Sequence, residues 1–242
     1  VGDSFVIVTL DKPIRLDRTG MEVDEMIEFT ETEVFNWRGA IRGARNSWES
    51  HDKSDSKWVV HKDKRLYGFN YPDYEIGPND HALLFKLANA GSSHAKWTRQ
   101  VMVCVDINAP LYWWKEMDQY KFIVTNSEST MHTIQRNEIV PSTEMFSLDI
   151  PRDVDLRDVV PSFQTLEMLR NRFLETKDRR YWKLLIQLLP SGWMQKRTTT
   201  LNYATIRGAY HDRKGHRLSE WQEFREWAES LPYSEFITGV KK

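Results

Sequence analysis

The stretch Val101-Met102-Val103-Cys104-Val105-Asp106-Ile107, with the Asn108-Ala109-Pro110-Leu111-Tyr112-Trp113-Trp114 that follows it, decides the reading of this chain. Val101, Val103, Val105 and Ile107 alternate with Met102, Cys104 and Asp106. Successive strand side chains point to opposite faces, so this spacing predicts a strand with one strongly apolar face. On that strand Cys104 is expected to be buried and inert. Ala109-Pro110 breaks the pattern. Leu111–Gln119 can then run as a helix, with Pro110 near its start.

Upstream, Asn79 or Asp80 can cap a helix in which Leu83, Leu84, Leu87 and Ala88 share a face, and Gly91 is placed to stop it. The stretch 48–78 is polar, rich in Lys, Asp and Tyr, and without clear period. It reads as a long loop or a small insertion. A helix is expected over 31–45, and the β-branched run Phe5–Leu10 predicts a strand. Downstream, 139–161 holds three prolines and many acids and reads as a connection. Phe163, Leu166, Leu169 and Phe173 keep helical spacing, as do Tyr181, Leu184, Leu185 and Leu188. Leu218, Trp221, Phe224, Ala228 and Leu231 form an amphipathic stripe. No internal repeat or domain boundary is visible, so 1–242 is expected to be one α+β domain.

Composition narrows the function classes. Of the 242 residues 40% are hydrophobic and 29% charged, and ten are Trp, which suits a chain with a sizeable core. The formal net charge of −1 supplies no overall field for a nucleic-acid polymer. The lone cysteine, Cys104, excludes an intrachain disulfide and a cysteine-based zinc site. No apolar stretch approaches membrane-spanning length, and a cytoplasmic location is the expectation. Glycine-rich phosphate loops and a Gly-x-Ser-x-Gly elbow are absent. His211 and His216 are five apart, the wrong offset for two metal ligands on one helical face, so no metal is expected.

Two stretches carry a resemblance. In the first, His94 precedes the strand, Ala109-Pro110 and a helix follow, then Gln119-Tyr120-Lys121, Asn126 and Ser129. In the second, Pro190 is followed by Lys196, Asn202 and Arg213, and Ser219-Glu220-Trp221-Gln222-Glu223 opens a terminal helix. Arg45-Asn46-Ser47 is a weaker echo. In this order and spacing the chain resembles the flavin-dependent thymidylate synthases. In that family an Arg-His-Arg triplet stands where Gln119-Tyr120-Lys121 stands here, with seven residues before a serine.

The resemblance implies an α+β fold, an antiparallel or mixed sheet flanked by long helices. It also implies a homotetramer whose active sites are shared among subunits, in a bacterial cell or a phage-infected host. FAD would be the cofactor, with NADPH and methylenetetrahydrofolate as co-substrates, in C5 methylation or hydroxymethylation of a deoxyuridine nucleotide. Carried over position by position, Arg213 would bind and polarise the pyrimidine, Lys196 would meet the phosphate and Ser129 would line the pocket. Glu116 stands near the substrate in place of a glutamine. His94, Lys121, Asn126 and Asn202 would contact FAD.

Several positions depart from the family. Gln119 and Tyr120 replace Arg and His, Met131 stands where a phosphate-binding arginine is expected, and Ser127 replaces a glutamate. An acid at 116 would oppose a nearby phosphate by about 1–4 kcal/mol at surface-like dielectric. Arg99, Lys115, Arg136 or Arg197 are the cations that could compensate. The alternative is a catalytically inactive homologue acting as a binding or structural protein. Tyr112, Trp113 and Trp114 read as core or subunit interface rather than a flavin platform.

Overall fold

In chain order the elements are β1 (Arg15–Leu16), β2 (Glu22–Val23), β3 (Glu28–Phe35), α1 (Trp37–Arg45), β4 (Lys57–Leu66), β5 (Phe69–Glu75) and α2 (Pro78–Asn89). Then come β6 (Met102–Pro110), α3 (Leu111–Met117), β7 (Val124–Ser127), α4 (Thr130–Thr133), α5 (Leu156–Thr176) and α6 (Arg179–Leu188). The chain closes with β8 (Met194–Asn202), α7 (Tyr203–Asp212), α8 (Glu220–Ser230) and α9 (Glu235–Thr238). This is a computed structural model, and it describes residues 15–16, 22–23, 26–66, 69–140, 142, 145–147 and 156–240. The strand expected over Phe5–Leu10 lies outside the described residues.

The alternating stretch forms β6, the centre of an antiparallel sheet in the order β3-β6-β8-β7. Val101, Val103, Val105 and Ile107 are fully buried. Each such side chain contributes about 1.5–3 kcal/mol relative to exposure. They pack with Trp113, Trp114 and Met117 of α3, Ile206 and Ala209 of α7, and Trp221 and Phe224 of α8. The other face carries Met102, Cys104, Asp106 and Asn108, all partly exposed. Cys104 therefore lies on the open face and is only half-buried, not enclosed as expected. A second apolar cluster joins α5 and α6 to Ile134, Ile139 and Phe146.

Four local expectations are corrected. Residues 28–35 form a strand, and helix covers only 37–45 of the 31–45 expected to be helical. The sequence Glu28-Phe-Thr-Glu-Thr-Glu-Val-Phe35 loses its period of two because a register shift falls between Thr30 and Glu33. Glu31 there takes φ +50°, and the extra residue turns the pattern over. The stretch 48–78 is no long loop: β4 and β5 pair as an antiparallel hairpin.

Gly77, not Asn79 or Asp80, is the N-cap of α2, with Pro78 in the first turn. The Asp55 carboxylate accepts from the amides of Asn79 and Asp80, at 2.9 and 3.0 Å. Finally, α5 starts at Leu156, so the last part of the expected 139–161 connection is helical and Pro161 lies within a helix.

The hairpin is tied to the core by a buried ion pair. Arg45 closes α1, and its Nε donates to Asp80 Oδ1 at 2.5 Å, with Asp80 fully buried. The second oxygen of Asp80 accepts from the hydroxyls of Ser54 and Ser56 at 2.7 and 2.6 Å. Burial alone would raise this carboxyl. The Ser56, Ser54 and Arg45 bonds outweigh it and hold the group below the usual carboxylate value.

Candidate functional site

Arg213 ends α7, where the chain leaves the helix. Its guanidinium is clamped on three sides. Nε donates to the Tyr120 hydroxyl at 2.9 Å, and Nη1 donates to Glu116 Oε2 at 2.9 Å. The plane lies over Trp221, with the central carbon 4.4 Å from the ring centroid. Trp221 Nε1 donates to the same Glu116 oxygen at 2.8 Å.

His216 completes the group. Its Nδ1 lies 3.2 Å from the Leu218 amide, and its Nε2 lies 3.1 Å from Arg213 Nη1 and 3.5 Å from Glu116 Oε2. Two donors, Arg213 Nη1 and Trp221 Nε1, thus converge on one carboxylate oxygen.

The local sequence builds this arrangement. α3 places Glu116 on the turn facing α7 and α8, and the helix ends in turn bonds that bring Tyr120 inward: Asp118 N to Trp114 O and Tyr120 N to Met117 O. Trp113 and Trp221 pack with ring centroids 5.0 Å apart, fixing α3 against α8. Burial pushes the Tyr120 phenol up, and Arg213 opposes that shift without cancelling it. The phenol is therefore neutral at physiological pH.

The remaining expected site residues lie elsewhere. Lys196 projects from β8 on the open face of the sheet. Its Nζ lies 3.0 Å from Asp106, which also accepts from the Thr198 hydroxyl at 2.6 Å. The Thr198 bond and then Lys196 hold the Asp106 carboxyl below its usual value, and Asp106 in turn raises the Lys196 ammonium. Asn126 is exposed on β7, opposite Thr198.

Ser129 is bonded to a neighbouring side chain: its Oγ lies 2.7 Å from His132 Nδ1. Its loop is docked against Lys196 by the Glu128 amide, 2.9 Å from the Lys196 carbonyl. Asn202 is buried and caps α7, its Oδ1 accepting from Thr205 N at 3.0 Å. The Thr205 hydroxyl donates to the Lys121 carbonyl at 3.0 Å. The Lys121 side chain is exposed, as is His94, which precedes the turn Ala95–Arg99.

The structure therefore brings Arg213 together with Glu116, and Lys196 close to Ser129, but keeps the two pairs apart. Alternate residues of β8 divide them. Arg197 faces α3, stacking on Trp114 at 4.1 Å and pairing with Asp118 at 2.9 Å, so it is already committed. Lys196 points the other way. Asn202 and Arg213 flank the two ends of α7, about 15 Å apart at 1.5 Å per residue.

Sequence reasoning missed His216, Tyr120 as a partner of Arg213, and Asp106 as the partner of Lys196. The one available signal was Asp106, the acid on the polar face of a strand whose other face is wholly apolar. Trp113 and Trp114 are buried core, as expected. Tyr112 bonds to Ser147 and to the buried Glu220.

No protein-family model matches the chain, and no curated protein matches it by sequence. Solved structures do. The flavin-dependent thymidylate synthase ThyX from Helicobacter pylori, complexed with FAD and dUMP, matches with TM-score 0.63 at 16% identity, over 89% of this chain and 99% of that one. A second structure of that enzyme with FAD and dUMP gives 0.62 at 16% identity, over the same shares. The UMP/dUMP methylase PolB from Streptomyces cacaoi, bound with 5-Br dUMP, gives 0.54 at 15% identity, over 89% and 96%. At these identities the likeness is one of fold: an antiparallel sheet with helices in the ThyX arrangement, as the sequence resemblance implied. No helix among the described residues is long and apolar enough to cross a membrane.

Proposed function

We propose that this chain binds a deoxyuridine-type nucleotide and modifies it at C5, as a methylase or hydroxymethylase of the flavin-dependent kind working as a homotetramer. The shared fold with enzymes that bind or methylate such nucleotides supports the class. The observation that carries the substrate is the Glu116–Arg213 pair on its aromatic wall.

A uracil edge presents a carbonyl acceptor, a ring N–H donor and a second carbonyl acceptor. Arg213 offers donors and Glu116 an acceptor side by side, which complements that edge. Arg213, fixed in advance, would stabilise negative charge developing on the ring oxygens when C5 reacts. Trp221 and Tyr120 would border the ring.

Lys196 would take the phosphate as a point charge in exchange for Asp106, and Ser129 would line that end. Lys196 and Arg213 face opposite sides of the sheet layer, so one nucleotide meets both only where two copies of the chain adjoin.

The positions assigned to FAD do not form a cradle within one copy. Asn202 spends its carbonyl oxygen on a helix cap, while His94 and Asn126 are exposed on separate elements. A single copy does not fit the flavin, which when bound would supply reducing electrons from NADPH for the carbon carried by methylenetetrahydrofolate.

Two observations favour the second reading, a catalytically inactive homologue acting as a binding or structural protein that takes neither ligand. Glu116 neutralises Arg213 internally, and Gln119 is turned back to its own helix, donating to the Lys115 carbonyl at 3.3 Å. Titration with FAD and then dUMP, followed by calorimetry and flavin absorbance, separates the two. Saturable binding of both supports the enzyme. Binding of neither removes it.

A further inference from the structure

A cavity of about 950 Å³ lies between the β4–β5 hairpin, the start of α1 and the turn at Pro232–Tyr233. None of Glu116, Tyr120, Ser129, Lys196 or Arg213 is among its described lining residues. Two aromatic pairs wall it. Trp58 meets Tyr74 edge-on with ring centroids 5.1 Å apart, and Trp37 meets Tyr233 in the same way at 5.1 Å. Trp37 is buried, whereas Trp58 is 57% exposed at the mouth of the cavity. Tryptophan left exposed beside a concave surface can stack on a ligand ring.

Charge is distributed unevenly around that wall. Three arginines lie on α1, and Arg45 is buried against Asp80. Arg38 and Arg42 stand one turn apart on a single helix face, both exposed and lining the cavity. Neither is held in an ion pair among the described residues. Asp73 and Glu75 of β5 line the same cavity, and each already has a partner.

Two arginines on the helix side and two carboxylates on the hairpin side leave these walls formally neutral. A polyanion gains little there. A ligand with one anionic end and one hydrogen-bond-donating end, separated by an aromatic ring, matches both sides.

We infer that this cavity binds an aromatic heterocycle carrying an amino group and a single anionic tail, as a purine nucleoside monophosphate does. The ring stacks on Trp58 beside Tyr74, the tail pairs with Arg38 and Arg42, and the amino group faces Asp73 and Glu75. The volume is at the upper end of that of small-molecule sites. A uracil nucleotide, which has two ring carbonyls and no amino group, is the poorer occupant.

The test uses the whole chain, with AMP as the probe, calorimetry as the primary readout and tryptophan fluorescence as the second. The expected result is saturable AMP binding at least tenfold tighter than that of adenosine, inorganic phosphate, ATP or dUMP. Trp58→Ala and the double change Arg38→Ala with Arg42→Ala should each weaken it at least tenfold. Arg213→Ala should leave it unchanged. Trp58, Arg38 and Arg42 are exposed, so the melting temperatures of the Trp58 and double-arginine variants should stay near the parent's. No saturable AMP binding, AMP binding indifferent to Trp58 and the two arginines, or AMP binding lost with Arg213→Ala would each overturn the assignment.

Discussion

Glu116 Oε2 lies 2.9 Å from Arg213 Nη1, and the same oxygen accepts from Trp221 Nε1 at 2.8 Å. An acid that would repel a phosphate instead meets the arginine proposed to hold the pyrimidine. The pair is three-quarters withdrawn from solvent, with Glu116 29% and Arg213 17% exposed. Its geometry is set by packing against Trp221 and Tyr120, before any nucleotide arrives.

Glu116→Gln should strengthen nucleotide binding. The amide keeps an oxygen acceptor for Arg213 and removes the charge that competes with a ligand for it. The expected gain is about 1.4 kcal/mol, a tenfold lower Kd for dUMP. Isothermal calorimetry on parent and variant measures it, and an unchanged or higher Kd contradicts the role given to Glu116.

Arg213→Ala should cost about 1.5–3 kcal/mol of nucleotide binding, the worth of a charge-assisted hydrogen bond. The variant should also melt earlier, because Glu116 is left partly buried without its cation. Calorimetry with dUMP and a thermal melt report the two effects separately. A melt that shifts while dUMP affinity stays the same would make Arg213 purely structural.

Lys196 and Arg213 project to opposite sides of the β6–β8 layer. A nucleotide site using both must then join two copies. Lys196→Ala and Arg213→Ala chains, unfolded together and refolded as a mixture, should regain in part of the sites the dUMP affinity that each variant loses alone. Failure of the mixture, with each variant folded, would place the site within one copy.

The Arg45–Asp80 pair should govern acid stability of the hairpin. Asp80 is held below its unfolded value, so its contribution is present above that unfolded value, near 4, and is lost as pH falls through the lower folded one. Asp80→Asn should destabilise by about 3–5 kcal/mol at pH 7, because Arg45 stays buried without its partner. The gap between parent and variant should narrow as pH drops below 4. Melting curves from pH 7 to pH 3 measure this, and a constant gap contradicts it.

The sequence made β6 legible because Val101 to Ile107 never break their alternation, and α8 because Trp221, Phe224 and Ala228 never leave one face. It hid β3, whose bulge at Glu31 breaks the period of two. The hairpin 57–75 was hidden as well, since Lys57, Asp73 and Glu75 put polar residues where a core strand would be apolar. Arg213 and Glu116 were both singled out by their positions. Their contact was not, because 97 residues separate them and only the packing of α3 on α8 closes the gap. Lys196 was found and Asp106 was not, since a cross-strand ion pair depends on register, which a strand pattern alone does not give.

Everything proposed for the Arg213–Glu116 site requires that it take a uracil nucleotide. Calorimetric titration of the purified chain with dUMP, repeated on Arg213→Ala and Glu116→Gln, tests it. Saturable binding by the parent, weakened at least tenfold by Arg213→Ala and strengthened by Glu116→Gln, is the result expected. A parent that binds no dUMP, or variants that bind it as the parent does, would contradict the assignment.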